Sequence, residues 1–311
     1  MKRGKNFKCY ELFLLGICSI TLLMTCTWLF KFHIEARNNQ HLMEQLASTM
    51  SDKKQFLVAP FLFTVSPTPI TVAPISSIRI SSSIGTFSSI RTSSSIGTSS
   101  AKEENITVLD NDTREANENP QMLQQFTELY HQNPDILGWV LIDGTNINYP
   151  IMYTPDDGEY YLHRNYNKEE EKRGLPFLDA GTNLLLSQNY LVYGHNMKDG
   201  TGFHDLLKYT EESYYKEHSI IHFNTLYEEA DYEIIAVFKS QIFYENQDVF
   251  KYYKFTNIEE ERDYREYIDN IKEKSIYDTG VTASFGEKLL TLSTCSYHIT
   301  DGRFIIVAKK K

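Results

Sequence analysis

An uncharged run of 19 residues lies near the start of the chain, "LFLLGICSITLLMTCTWLF" from Leu12 to Phe30. A helix needs about 20 apolar residues to cross the hydrocarbon core of a bilayer. The run therefore predicts a transmembrane helix over residues 12–30, and the chain is expected to cross the membrane once.

The charges before this run predict its orientation. Four basic residues and one acidic residue precede it: Lys2, Arg3, Lys5, Lys8 and Glu11. Because cytoplasmic segments carry an excess of lysine and arginine, residues 1–11 are expected in the cytoplasm and the rest of the chain outside the cell. A cleaved signal peptide is the alternative, although no small-residue cleavage site follows the run. Both interpretations place the remaining residues outside the cytoplasm.

Residues 31–117 have the composition of an extracellular stalk. The segment 31–54 is polar and able to extend the membrane helix, and four prolines then break the apolar segment 56–75. A twelve-residue unit follows twice, as "SSIRISSSIGTF" from Ser76 and "SSIRTSSSIGTS" from Ser88. Two Ser/Ile/Gly units cannot bury a core, so a flexible Pro- and Ser-rich stalk is predicted.

Charge and cysteine content exclude two classes of protein. The formal net charge is −10 and the sequence pI is about 5.4, whereas a nucleic-acid-binding protein needs a concentrated basic surface. Three of the four cysteines, Cys9, Cys18 and Cys26, lie in or beside the apolar run. Cys295 therefore has no partner for an intramolecular disulfide in the rest of the chain, which argues against a disulfide-stabilised domain.

Residues 118–311 have the composition of one globular domain. An amphipathic helix is predicted from Pro120, in "PQMLQQFTELYHQNPD", and a helical insertion is predicted over 257–274 with apolar residues on one face. Eight strand-like segments separated by turn residues favour a β-barrel or a sandwich. They are "GWVLIDG", "NINYPIM", "GLPFLDA", "NYLVYGH", "SIIHFNT", "ADYEIIAVFKSQI", "KLLTLSTC" and "RFIIVAKK".

Three chemically distinctive residues stand at the ends of these strands. Cys295 ends one strand-like segment, a loop follows, and Arg303 opens the last segment. If the two strands pair antiparallel, the residues that flank the loop lie about 5 Å apart on neighbouring strands. His195 follows Gly194 at the end of another such segment. These residues are therefore candidates for one site.

A cysteine, a histidine and an arginine can together perform acyl transfer. A thiolate attacks a carbonyl carbon, an imidazolium donates a proton to the departing amine, and a guanidinium hydrogen-bonds the oxyanion. At pH 7, only about 3% of unperturbed thiols and roughly a quarter of unperturbed imidazoles are in the reactive charge state. Mutual attraction between thiolate and imidazolium would increase the reactive fraction.

Simpler interpretations exist for each residue. A cysteine at the end of an apolar strand is commonly a small buried hydrophobe, and Arg303 alone is commonly a solvated charge. His298, three residues after the cysteine, is the nearest alternative to His195 among nine histidines. No metal or cofactor is expected, because the sequence lacks the ligand spacing of a metal site.

Three separated motifs in the C-terminal half resemble the signatures of the sortase family. They are "LVYGHNM" at 191–197, "TLSTC" at 291–295 and "GRFIIVAK" at 302–309. The resemblance extends from about Gln121 to Lys311 and includes "DILGWVLIDGTNINYPIM", "GLPFLDA" and "MKDGTGFHDLLKY". The first helix and the long helical insertion before the cysteine strand make the chain similar to class B sortases.

The resemblance implies a mainly β fold, an eight-stranded sortase-type barrel, tethered to the membrane of a Gram-positive bacterium. It implies a cysteine transpeptidase in which Cys295 is the nucleophile, His195 the general acid and then base, and Arg303 the oxyanion or substrate-positioning cation. Ser293 and Thr294 are candidates for the substrate groove. Tyr193 and Asn196 are candidates for orienting His195 or contacting substrate.

The implied partners are secreted proteins with a C-terminal sorting motif and an amine acceptor from peptidoglycan precursor or a pilin. Class B similarity suggests a motif other than LPXTG, such as NPQTN. Two alternatives remain open at this stage. One is an extracellular thiol peptidase that only hydrolyses, and the other is a non-catalytic binding module mounted on the stalk.

Overall fold

A computed structural model of the chain describes residues 4–56, 120–184 and 186–311. The first helix, α1, runs from Gly4 to Phe56 and contains the apolar run. By length and composition it is apolar enough to cross a membrane, over Gly16–Ser51. The repeats and prolines of the predicted stalk lie outside the described residues, so the stalk and the domain boundaries stay predictions.

The rest of the described chain is built on eight β-strands that close into a barrel, which confirms the predicted fold class. Each strand overlaps one of the eight predicted segments. The strands are β1 Ile136–Leu141, β2 Asn148–Met152, β3 Phe177–Leu178, β4 Asn189–Gly194, β5 Ile220–Thr225, β6 Asp231–Gln241, β7 Leu289–Cys295 and β8 Gly302–Lys310.

The order of strands around the barrel is β1-β2-β3-β4-β7-β8-β6-β5, and β5 closes it against β1. Two neighbouring pairs are parallel, β2 with β3 and β4 with β7, and the others are antiparallel. Parallel pairing requires a long crossover connection. The crossover between β4 and β7 contains β5, β6 and the helical insertion, and it brings the ends of two distant sequence segments together.

The strands at the centre of this arrangement are buried on both faces. Inside the barrel, Val192, Leu292 and Phe304 pack in one apolar cluster. Outside it, Leu191 and Ile305 pack against a second cluster that includes the helical insertion. Strands covered on both sides are expected to have continuous apolar runs, as β8 does in Phe304–Ala308. β7 is equally buried but includes Thr291, Ser293 and Thr294, whose hydroxyl groups have hydrogen-bond partners.

The helical insertion forms helix α4, Glu261–Lys274, within the predicted range 257–274. Four residues at helical spacing form its apolar face, and all are buried as expected: Tyr264, Tyr267, Ile268 and Ile271. Burying a side chain of this size contributes about 1.5–3 kcal/mol relative to leaving it exposed. The helix therefore packs on the outer face of the barrel beside β6.

The first helix of the globular part begins later than its sequence predicted. Helix α2 covers Gln124–Gln132, and Leu123 before it is extended. Pro120 therefore lies outside the helix, because Leu123 donates its backbone N–H to the carbonyl of Leu226 and is held in an extended conformation. The described residues also contain the short helix α3, Glu212–Glu217, and three short 3-10 helices, at Tyr160–His163, His204–Thr210 and Tyr252–Lys254.

Candidate active site

Strand order places three sequence-predicted residues side by side at one end of the barrel. In the antiparallel pair of β7 and β8, Cys295 lies directly opposite Arg303, as predicted. In the parallel pair of β4 and β7, Gly194 lies opposite Thr294, so His195 and Cys295 are the next residues along the two strands. Neighbouring strands lie about 4.8 Å apart. The cysteine is thus on the central strand, with the histidine on one side and the arginine on the other.

These three side chains line one cavity of about 510 Å³. Phe177 and Ile242 contribute apolar surface to it, and Glu159 and Asp179 contribute carboxyl groups. A cavity of this size is typical of a ligand site. Among the described histidines, His195 is the one that lines this cavity. His298 is exposed and its Nδ1 lies 2.9 Å from the hydroxyl of Ser296, so it does not replace His195 at the site.

The backbone after β4 is fixed so that His195 projects from the end of the strand. The carbonyl oxygen of His195 accepts a hydrogen bond of 2.7 Å from the N–H of Phe203. Gly202, just before, has a φ of +66°, and a Cβ there would lie 2.4 Å from that same carbonyl oxygen. Only glycine fits this approach without strain. The short loop 196–202 therefore holds His195 at the cavity.

The imidazole of His195 is oriented by a backbone group. Its Nε2–H donates to the carbonyl oxygen of Leu162 at 2.8 Å, and the ring of His163 stacks on it at 5.6 Å between centroids. A carbonyl oxygen only accepts hydrogen bonds, so Nε2 carries the proton in the neutral ring and Nδ1 is the basic nitrogen. This contact has no signature in the sequence, because any residue type could supply a backbone carbonyl.

Burial lowers the pKa of His195 below its ordinary value, because the charged ring loses hydration. The hydrogen bond to Leu162 favours the charged form and acts in the opposite direction, while the nearby His163 lowers the pKa further. At neutral pH the ring is therefore more completely neutral than free imidazole. A neutral ring suits a general base, and its protonated form is a stronger acid than free imidazolium.

The guanidinium of Arg303 is held by two backbone carbonyls. Its Nη1 donates to the carbonyl oxygens of Asp301, at 3.2 Å, and Gly302, at 3.1 Å. Both partners are neutral, so they leave the positive charge uncancelled, and the guanidinium has further N–H groups to offer a ligand. A fixed cation beside Cys295 can stabilise a thiolate or an oxyanion.

The four weaker candidates have structural hydrogen bonds. Ser293 and Thr294 line the cavity but are only 1% exposed. The hydroxyl of Ser293 shares a hydrogen bond with Tyr252 at 2.8 Å, and that of Thr294 donates to the carbonyl of Gly194 at 2.7 Å. Contact with substrate through these residues stays a prediction.

Tyr193 and Asn196 do not hydrogen-bond the ring of His195. The hydroxyl of Tyr193, which lines the cavity, donates to Asp179 at 3.2 Å. The side chain of Asn196 donates to the carbonyl of Cys295 at 2.9 Å and accepts from Nδ1 of His204 at 2.8 Å. Asn196 therefore ties the loop after β4 to the end of β7, and the carbonyl of Leu162 has the orienting role that the sequence suggested for these two residues.

Comparison with known proteins identifies the relatives of this arrangement. A family model described as the sortase domain matches residues 140–311, more than half of the chain. The sortase B of Listeria monocytogenes is 33% identical over 217 residues, which cover 67% of this chain and 85% of that protein.

Solved structures show the same similarity. The Staphylococcus aureus sortase B–substrate complex is 30% identical with a TM-score of 0.54, covering 61% of this chain and 86% of that one. A sortase B complexed with triglycine is 31% identical with a TM-score of 0.53, covering 60% of this chain and 85% of that one. The match to the family model spans the segments that carry all three residues of the site.

Proposed function

The chain belongs to the sortase family of cysteine transpeptidases, with class B sortases as its relatives, and we propose from this that Cys295, His195 and Arg303 are its catalytic residues. The substrate is a secreted protein with a C-terminal sorting motif, and the acceptor is an amine of peptidoglycan precursor or a pilin. The observation that carries the proposal is the placement of the three side chains on adjacent strand ends at one cavity.

In the first half of the reaction, the thiolate of Cys295 attacks the carbonyl carbon of the scissile peptide bond. The resulting oxyanion lies beside Arg303, which donates hydrogen bonds to it. Protonated His195 gives its proton to the departing amine, the C–N bond breaks, and the acyl group remains on sulfur as a thioester. The support for these roles is that strand pairing places one group on each side of the cysteine.

In the second half, an acceptor amine attacks the thioester carbon. Its proton passes to neutral His195, a new C–N bond forms, the C–S bond breaks and Cys295 leaves as a thiolate. One amide is exchanged for another through a thioester, so the reaction needs no nucleoside triphosphate. Such a reaction can proceed outside the cytoplasm, where no nucleoside triphosphate is supplied. The apolar helix α1 supports an anchored position with the N-terminus in the cytoplasm and the barrel outside.

The products formed with and without an amine distinguish transfer from hydrolysis. The test uses the full chain in detergent and a fluorogenic peptide, chosen from a panel of sorting motifs that includes NPQTN. With triglycine present, mass spectrometry is expected to find the acyl fragment joined to triglycine, and without it the hydrolysed acid at a lower rate. Release of the acid alone at every triglycine concentration would indicate a thiol peptidase, and no cleavage of any peptide would indicate a binding module.

A further inference from the structure

Helix α1 does more than carry the apolar run, because its C-terminal half packs on the catalytic part of the chain. Leu46 and Met50 are buried in a cluster with Phe126 and Leu129 of α2 and with Trp139 of β1. Burial of these two side chains contributes about 1.5–3 kcal/mol each. From Phe30 to Leu46 the helix rises about 24 Å at 1.5 Å per residue. The helix therefore runs along the barrel before this anchoring contact.

A cavity of about 370 Å³ lies between α1 and the barrel. One wall consists of helix residues, among them Ala36, Asn39 and Met43, and the other includes Tyr149, His195 and Asp199. We name it the helix-side cavity. Its size is within the range of small-ligand sites. It differs from the cavity that contains Cys295, and His195 lines both.

A shared His195 has a direct consequence for the second half of the reaction. While the acyl group occupies sulfur, the sorting peptide fills the cavity that contains Cys295. An incoming amine must still reach the thioester carbon and transfer a proton to His195. The helix-side cavity offers an approach to the same imidazole that does not pass through the space filled by the sorting peptide.

We infer that the helix-side cavity binds the amine acceptor, a short peptide with a free primary amine, and that α1 supplies one wall of this acceptor site. The inference rests on the proposed transpeptidation. Its geometric basis is that one imidazole borders both the space for the acyl donor and a second space of ligand size.

The polar groups of the helix-side cavity suit a peptide, which both donates and accepts hydrogen bonds. Asn39 is 9% exposed, and its Oδ1 has no hydrogen-bond partner among the described residues. A buried oxygen without a partner costs about 1–3 kcal/mol. This oxygen has almost no accessible surface, so a turn of the Asn39 side chain toward the cavity would let a ligand N–H remove that cost. The hydroxyl oxygen of Tyr149 already accepts the backbone N–H of Gly202 at 3.0 Å, so its own hydrogen is free for a peptide carbonyl.

Asp199 and Arg173 form an ion pair in this wall, and Arg37 of the helix also lines the cavity. Burial acts to raise the pKa of the Asp199 carboxyl, but hydrogen bonds from Thr201 and Arg173 outweigh it and the pKa is lowered. The carboxylate accepts 2.6 Å and 2.9 Å hydrogen bonds from those two side chains. It therefore stays ionised at neutral pH, and the guanidinium of Arg173 balances its charge, so the pair offers an arriving peptide hydrogen-bonding groups and no net attraction for its ammonium.

The position of the helix-side cavity favours an acceptor linked to the membrane. Asn39 follows the last residue of the apolar run, Phe30, by nine positions, or about 14 Å of helix. The guanidinium of Arg173, another lining residue, lies 6.0 Å from the ring of Phe32. A peptide carried on a membrane lipid would reach this depth with a short extension, whereas a folded pilin would have to fit under the helix.

The test measures how acyl-enzyme divides between transfer and hydrolysis, with triglycine as the acceptor probe and the full chain in detergent. Because this ratio compares two fates of one acyl-enzyme, it does not depend on how fast that species forms. Asn39→Leu removes the unpaired oxygen and is expected to raise the triglycine concentration needed for half-maximal transfer by about two- to tenfold. Ala36→Phe fills the helix-side cavity and is expected to lower the ratio by about tenfold or more.

The matched control is Ser48→Phe, which places the same ring at an exposed position of α1. Ser48 lines neither the helix-side cavity nor the cavity that contains Cys295. The ratio of transfer to hydrolysis in this variant is expected to equal that of the wild type. Unchanged ratios in both Asn39→Leu and Ala36→Phe would overturn the acceptor site while leaving transpeptidation intact. An equal loss in Ser48→Phe would also overturn it, because the effect would then come from the helix in general. A wild-type chain that forms no triglycine product would overturn the proposed function and this inference with it.

Discussion

Replacement of Cys295 by alanine is expected to lower cleavage of a sorting peptide by at least about 10⁴-fold, because the covalent route needs the sulfur. The fold is expected to persist. Cys295 is half-buried at the last position of β7, and its Sγ takes part in no hydrogen bond among the described residues. Loss of one sulfur atom there is expected to change the free energy of unfolding by about 1 kcal/mol or less.

The measurement is the initial rate of fluorescent-peptide cleavage, with a thermal melt of each protein to check the fold. Cys18→Ala provides the matched control, because Cys18 is also a free cysteine but lies in the apolar run of α1. It is expected to cleave at the wild-type rate. Persistent turnover by a folded Cys295→Ala chain would remove the cysteine from the mechanism.

Replacement of His195 by asparagine is expected to lower the cleavage rate by about 10²- to 10⁴-fold, the usual contribution of a general acid–base group. Asparagine is smaller than histidine, and its amide nitrogen takes the place of Nδ1, so the Nε2 hydrogen bond to Leu162 is lost together with the titratable ring. A thermal melt checks the fold, and a loss of rate in a folded chain then reports on proton transfer. The equivalent change at the exposed His298 is expected to have less than about a twofold effect. Equal losses at both histidines would contradict the assignment of the base.

The same variant supports a measurement of protonation. Nuclear magnetic resonance of the histidine ring protons, with the His195 signal identified by its loss in His195→Asn, is expected to give a midpoint below the ordinary 6.5. The sign follows from burial, which disfavours the charged ring in the folded state. The unfolded chain therefore binds a proton more readily, and the free energy of unfolding is expected to fall as the pH drops from 6.5 through the lowered pKa.

Local sequence patterns were sufficient to predict the strands and the helical insertion. Alternating or continuous apolar runs bounded by turn residues marked all eight strands. The four apolar residues of α4 stood at helical spacing. The opposition of Cys295 and Arg303 was also predictable, because a short loop joins β7 to β8 and fixes their antiparallel register.

Longer-range features were not predictable from the residues alone. The parallel pairing of β4 with β7 joins segments about 100 positions apart. The residues alone associated His195 with Cys295 only through their shared position at strand ends, and the resemblance to a family strengthened that association. The carbonyl of Leu162 that orients His195 is a backbone group and has no residue signature.

Helix α1 illustrates the same limit. Residues 31–54 are polar, and the sequence analysis treated them only as a possible extension of the membrane helix. In the structure, Leu46 and Met50 are buried against α2 and β1. The preceding turns of α1, among them Ala36 and Asn39, line the helix-side cavity beside His195. The partner that buries an amphipathic face is set by tertiary packing.

Whether Cys295 carries the acyl group is measured by the intact mass of the chain during reaction with a sorting peptide in the absence of an acceptor amine. A gain equal to the acyl fragment is expected, with proteolytic mapping placing it on Cys295, and addition of triglycine is expected to discharge it as an acyl–triglycine product. A chain that turns the peptide over without any gain in mass, or that carries the fragment on a residue other than Cys295, would contradict the account.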